Sequence, residues 1–374
     1  MLGAFLLIFV SCKDTSNTTQ ETTMSDSATG TDVASMHADT AMHAGNLIPK
    51  SPKPEWGMNI APEMQVVIEK LMSYNSPPLI TLSGSEARKQ PSPATAVMDV
   101  MKDNNIPMPA STLDTMGKSI PVSGGNIHLR IYSPKGQGPF PIIVYYHGGG
   151  WVIADLDTYD ASARGLAEKT GAVLVSVAYR QAPEFKFPTA HNDSYAAYEW
   201  VLNNSVAIKG DVKHIAVVGE SAGGNLAAAV SMKARNKGIA IPGYQLLIYP
   251  IAGYDTTTTS YQKNANATPL NRPLMGWFFS NYLKSSADGK NPLISLVSAN
   301  LKGLPPTTII TAEYDPLQSD GELLAQKLKE AGVAVNLKNY NGVTHEFFGM
   351  ATVVPAANDA QVFAANELKN FFNK

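Results

Sequence analysis

Gly219-Glu220-Ser221-Ala222-Gly223 has the form G-x-S-x-G, a serine set where the chain can turn sharply between glycines. A serine hydroxyl becomes a useful nucleophile when an adjacent base takes its proton. Alone the pentapeptide is a weak signal, because Gly and Ser are common residues. A second stretch, His147-Gly148-Gly149-Gly150-Trp151, strengthens it. Consecutive glycines leave backbone N–H groups unobstructed, and the oxyanion of an acyl-transfer intermediate needs two or three such donors. Ala222, directly after the serine, offers one more N–H.

These motifs need strands to hold them, and the chain supplies a regular alternation. Short β-rich runs fall at 127–132, 142–146, 172–178, 214–218, 244–249, 307–311 and 333–338. Helical patterns separate most of them, at 159–169, 192–203, 225–237, 320–331 and 356–372, with two earlier helices at 62–74 and 94–102. Such alternation predicts an α/β fold, a mostly parallel sheet covered on both faces. Ligands of these sheets bind beyond the carboxyl ends of the strands. The serine motif follows the run 214–218 and opens a helix, and the glycine loop follows 142–146. Both are where a site should be.

In this architecture the catalytic order along the chain is Ser, then Asp or Glu, then His. Of seven histidines only His345 follows Ser221, so order selects it as the base. Between them lie Asp255, Asp288, Glu313, Asp315, Asp320, Glu322 and Glu330. Asp315 comes within four residues of the run 307–311, where a loop residue can orient the imidazole. Asp320 and Glu322 fall on the next helix and read as helix-N-terminal or solvent-facing charges.

Taken together, the two glycine motifs, Tyr179-Arg180-Gln181-Ala182-Pro183-Glu184 and Asp315-Pro316-Leu317 resemble the hormone-sensitive-lipase-like (family IV) bacterial carboxylesterases, from about Pro62 to the C-terminus. The resemblance implies the α/β-hydrolase fold with a helical cap over the site, built from about 61–105 and 254–291. It implies that the amides of Gly149 and Gly150 point into the oxyanion hole, that Gly148 supports the turn, and that His147 is structural. It also matches Asp315 to the triad carboxylate. Glu220 stands where Asp is more usual. The activity implied is hydrolysis of short- to medium-chain acyl esters through an acyl-Ser221 intermediate, with no metal or cofactor. An acyltransferase or amidase with the same triad, or a tethered binding protein with a vestigial one, are the competing readings.

Composition agrees with a small, neutral substrate. The 374 residues are 44% apolar and 16% charged with a net charge of −2, and no basic run suggests nucleic acid as a partner. Cys12 is the single cysteine, so no intrachain disulfide forms, and no Cys/His pattern has zinc-site spacing. It ends an apolar stretch, residues 2–10, too short for a membrane span but matching a signal h-region. Apolar run, Ser11, then Cys12 resembles a bacterial lipoprotein signal, whose cysteine is lipidated and becomes the mature N-terminus. Phe9 stands where Leu is usual and no Lys or Arg precedes the run; an ordinary cleaved signal is the alternative. Residues 13–55 are Ser/Thr/Asp/Ala-rich and read as a flexible tether. Within them Met36-His37-Ala38-Asp39 is echoed by Met42-His43-Ala44-Gly45, read as linker rather than as a metal site. The expected organisation is thus signal (1–12), tether (13–55) and catalytic domain (56–374), held at the bacterial cell envelope.

Overall fold

The computed structural model describes residues 47–374; Cys12, the apolar leader, the two Met-His repeats and most of the expected tether lie outside the described residues. Eight strands make one sheet in the order β1-β2-β4-β3-β5-β6-β7-β8. They are β1 (Asp114–Val122), β2 (Gly125–Ser133), β3 (Phe140–Tyr146), β4 (Val173–Ala178), β5 (Gly210–Glu220), β6 (Tyr244–Ile248), β7 (Thr307–Tyr314) and β8 (Val335–Thr344). The β1–β2 and β2–β4 pairs are antiparallel, and every pair from β4 to β8 is parallel. Parallel neighbours need long crossovers, which the helices provide.

The longer helices are α1 (Pro62–Ser73), α2 (Pro93–Asp103), α3 (Asp160–Thr170), α4 (Thr189–Asn204), α5 (Ala222–Lys237), α6 (Arg272–Tyr282), α7 (Gln318–Glu330) and α8 (Pro355–Phe372). Strand side chains alternate between two core layers. Ile142, Val144 and Tyr146 of β3 join Val173, Val175 and Val177 of β4 in one layer, closed by α4, α5 and α7. Ile143 and Tyr145 enter the other with Leu174, Ala216 and Val218, beneath α3 and α8. Burial on both faces explains why these strands read as unbroken apolar runs. Each such Val, Leu or Ile contributes about 1.5–3 kcal/mol.

Three features differ from the sequence reading. The first is β1, absent from the expected strands: Ile120 is its one buried residue, so no alternation marks it. Its signal was the two-residue turn Ser123-Gly124, with Gly124 at φ +78°, joining it to β2. The second is residues 47–55, expected within the tether. Leu47 is buried, the N–H groups of Lys50 and Ser51 each donate to the Glu69 carboxylate at 2.8 Å, and Gln65 Nε2 donates to the Ser51 carbonyl at 2.7 Å. Polar groups on α1 satisfy this backbone, which composition alone cannot reveal. The third concerns the expected cap segment 61–105. Met64, Val67 and Ile68 of α1 belong to the second core layer, so within that segment residues 79–98 are the ones that face the cavity described below. They meet the other expected cap segment where Trp277 Nε1 of α6 donates to the Leu82 carbonyl, at 3.2 Å.

Candidate active site

β5 ends at Glu220 and α5 begins at Ala222, leaving Ser221 alone to make the turn, at φ +55° and ψ −118°. A residue with a Cβ is strained there by about 1–3 kcal/mol, so its surroundings must hold it. They do so through the backbone. Ser221 N–H donates to the Ile248 carbonyl at 2.9 Å, and the Ser221 carbonyl accepts from Asn225 and Ile251 at 3.1 and 3.2 Å. Gly223 packs so tightly on the carbonyl of Tyr146 that any Cβ would collide with it. The turn thus locks onto the ends of β3 and β6.

Ser221 Oγ lies 2.9 Å from His345 Nε2, and His345 Nδ1 lies 2.7 Å from Asp315 Oδ2. The structure therefore brings together the three residues selected from the motif, chain order and strand position, all of them buried. His345 directly follows β8 and Asp315 directly follows β7. The other carboxylate oxygen, Asp315 Oδ1, accepts from Leu317 N–H at 2.8 Å, which fixes its plane. Burial pulls the His345 imidazole down, but the Asp315 charge and hydrogen bond, backed by Glu346 and Glu220, outweigh it and raise its pKa overall. The tautomer with its proton on Nδ1, facing Asp315, leaves Nε2 free to accept from the serine.

The loop after β3 lies beside this relay. Gly149 has φ +90°, and its carbonyl accepts from Val152 and Ile153 at 3.0 and 2.9 Å. The N–H groups of Gly149, Gly150 and Ala222 meet no acceptor among the described residues. Gly149 and Gly150 line the same cavity as Ser221. His147 sits behind the loop: its Nδ1 is 2.8 Å from the Gly148 carbonyl and its ring stacks on Tyr179, centroids 4.3 Å apart. Tyr179 Oη donates to the carbonyls of His147 and Gly148 at 2.9 and 3.1 Å. Burial pushes the His147 imidazole down to about 4, so it is neutral at physiological pH and braces the loop.

Two glutamates flank the relay. Glu220 is fully buried and accepts hydrogen bonds from the hydroxyls of Tyr145 and Tyr249. Burial drives its carboxyl up to about 7 against the pull of those hydroxyls. Glu346 was not singled out in the sequence. It follows His345 at φ +70° and takes the Tyr159 hydroxyl at 2.6 and 2.7 Å on its two oxygens. Its Oε1 is 3.8 Å from His345 Nε2. Its place beside the histidine was visible in the chain, but its partner Tyr159 is 187 positions away.

Asp320 also departs from expectation in one respect. It does stand in the first turn of α7, but it is buried rather than solvent-facing, and it accepts the N–H groups of Ala252 and Gly253 at 2.9 and 2.8 Å. Burial raises its carboxyl to about 7 despite both donors. Its work is to tie the loop after β6 to α7, and Ile251 of that loop reaches the cavity.

A cavity of about 490 Å³ opens at Ser221. Ile251, Leu270, Leu274, Met275 and Phe278 give it an apolar wall drawn from the first core layer. Tyr159, from the second layer, and Glu346 also line it. A hydroxyl relayed to an imidazole and a carboxylate, facing unengaged amides in an apolar cleft, can carry out acyl transfer.

Comparison with known proteins agrees. The sequence model of a family described by the alpha/beta hydrolase fold matches residues 143–349. The chain is 40% identical over 240 residues to the carboxylesterase NlhH of Mycobacterium tuberculosis, covering 63% of this chain and 75% of that protein. It is 30% identical over 321 residues to the ethyl acetate hydrolase of Pseudomonas putida, covering 83% and 99%. Among solved structures, the hyperthermophilic esterase of Pyrobaculum calidifontis superposes with a TM-score of 0.76 at 36% identity, covering 83% of this chain and 98% of that one.

Proposed function

The chain belongs to the alpha/beta hydrolase fold family and is a carboxylic ester hydrolase, and from that premise we propose that Ser221 is its nucleophile, His345 its general base and acid, and Asp315 the carboxylate that orients the imidazole. The observation that carries this reading is the continuous relay, 2.9 Å from Ser221 Oγ to His345 and 2.7 Å from His345 to Asp315. His345 Nε2 takes the hydroxyl proton as Ser221 Oγ attacks the ester carbonyl. Asp315 holds the Nδ1 proton and stabilises the imidazolium. The amides of Gly149, Gly150 and Ala222 receive the oxyanion, with Gly148 supporting their turn. When the carbon–oxygen bond breaks, Nε2 returns its proton to the leaving alcohol, and the acyl group stays on Ser221. Water, activated by the same nitrogen, then releases the acid.

The substrates we assign are short- to medium-chain acyl esters, bound with the acyl chain along the apolar wall. Its side chains, Ile251, Leu270, Leu274, Met275 and Phe278, can bury an apolar acyl chain. The ethyl acetate hydrolase relative supports the same reading. A graded series of p-nitrophenyl esters tests it: kcat/KM should peak between acetate and octanoate and fall for palmitate. A maximum at palmitate would overturn the size assignment.

We further propose that Cys12 is a lipid attachment site that places the enzyme at the bacterial envelope, on the strength of the apolar run ending in Ser11-Cys12. Mass spectrometry of the mature protein from a bacterial host should show a diacylglyceryl modification, absent from Cys12→Ser. An unmodified, signal-cleaved wild type would rule it out.

A further inference from the structure

Cleavage of an ester needs a proton delivered to the departing oxygen, and in the mechanism above His345 Nε2 delivers it. The leaving oxygen must therefore come within hydrogen-bond reach of Nε2, about 3 Å. Whatever is bonded to that oxygen is then next to Glu346, whose Oε1 lies 3.8 Å from the same nitrogen. The acyl half of the substrate, by contrast, is the part assigned above to the apolar wall of Ile251, Leu270, Leu274, Met275 and Phe278, which belong to the first core layer.

Glu346 has the properties of a group that reads a ligand. Its side chain is 20% exposed and it lines the cavity. Among the described residues its carboxylate accepts one hydroxyl, that of Tyr159, although two oxygens can take about four donors. No Lys or Arg among the described residues pairs with it. The other charges around the cavity are engaged elsewhere. Arg88 binds Glu184 at 2.6 Å and Asp157 binds Arg130 at 2.6 Å. Asp155 caps its own turn, accepting from the backbone of Asp157 and from Thr158. The Tyr159 hydroxyl, itself buried, fixes the direction of the carboxylate.

We propose that Glu346 is a specificity-determining residue for the alcohol half of the ester: it favours leaving alcohols that carry a hydroxyl on the carbon next to the ester-bearing carbon, and it disfavours those with a carboxylate attached directly to the ester-bearing carbon. The class selected is the partial esters of vicinal diols and polyols. The free hydroxyl donates to Glu346 while the adjacent oxygen receives the Nε2 proton, the acyl group remaining on Ser221 Oγ. A carboxylate in that place meets like charge and loses its own hydration.

The inference rests on the assignment of His345 as the proton donor to the leaving group, and its test separates the two. Propyl butyrate, 2-hydroxyethyl butyrate and butyryloxyacetate share an acyl group and differ at one terminal group of the alcohol. Wild type should prefer the hydroxyethyl over the propyl ester by about tenfold in kcat/KM, the lower end expected for a hydrogen bond to a charged acceptor. The anionic ester should be the poorest of the three. Glu346→Gln, which keeps an acceptor but loses the charge, should show a smaller preference, and Glu346→Leu a ratio near one. The ratio cancels any loss common to all substrates, so a purely structural role for Glu346 would leave it unchanged. Equal rates for the hydroxyethyl and propyl esters in wild type, or an unchanged ratio in Glu346→Leu, would overturn the inference while leaving the triad intact. Propyl butyrate hydrolysis surviving at the wild-type rate in His345→Ala would overturn the reading beneath it.

Discussion

Ser221→Ala should lower kcat for p-nitrophenyl butyrate by a factor on the order of 10⁴–10⁶, leaving only the catalysis that binding and oxyanion donors supply. No other hydroxyl can replace it, because the relay from His345 Nε2 ends on this oxygen at 2.9 Å. The fold should be nearly unaffected. Ser221 Oγ makes a single hydrogen bond, worth about 1 kcal/mol, and alanine bears the same positive φ that serine does. Thermal unfolding of Ser221→Ala should therefore stay close to wild type, whereas Ser221→Gly, relieved of the strain at +55°, should melt higher than Ser221→Ala. Hydrolysis within tenfold of wild type in Ser221→Ala would identify another nucleophile.

The second large effect is expected at Asp315. In Asp315→Asn the shape of the side chain is retained, but its amide now offers N–H toward His345 where a carboxylate oxygen accepted at 2.7 Å. The imidazole responds by placing its proton on Nε2. That nitrogen can then no longer accept from Ser221, and kcat should fall by about 10⁴. The pH profile should move as well. Burial alone lowers the His345 pKa, and the Asp315 charge is the largest influence raising it, for a net upward shift. Since the base must be neutral, wild-type kcat/KM should be lost as pH falls through a value above the usual 6.5. In Asp315→Asn the residual activity should be lost at lower pH than in wild type. A profile with the same acid limb in both proteins would mean that another group sets it.

Much of this site was legible in the chain because its parts are punctuation marks between buried strands. A parallel strand covered on both faces is an apolar run, so the residue that follows it is easily placed at the sheet edge. The glycine motifs marked Ser221 and the loop after β3, chain order selected His345, and position after β7, with the Asp-Pro-Leu resemblance, selected Asp315. That logic failed where burial and sequence character part company. β1 is a strand at the sheet edge with one buried residue, so periodicity had nothing to register. Asp320, read as a helix-N-terminal or solvent-facing charge, proved buried because its hydrogen-bond partners, Ala252 and Gly253, come from a loop nearly seventy positions away. Tyr145, Tyr159 and Tyr249 lie inside runs that gave no sign of a polar role. Only the assembled fold turns their hydroxyls toward Glu220 and Glu346. Residues 47–55 are polar enough to pass for linker, yet α1 offers them acceptors and donors they can use.

The spacing of the relay has a consequence for when the enzyme can act. Ser221 and His345 are 124 residues apart, and the imidazole hangs on β8, the last strand at its end of the sheet. Closing a contact of that sequence separation carries a large entropic cost, met only as the intervening strands and crossovers assemble. A chain still being synthesised that has not yet reached residue 345 carries Ser221 and the glycine loop but no base. Reactivity toward esters should accordingly appear only once β8 has joined the sheet and brought His345 to Ser221, in one late step, rather than growing as the chain emerges.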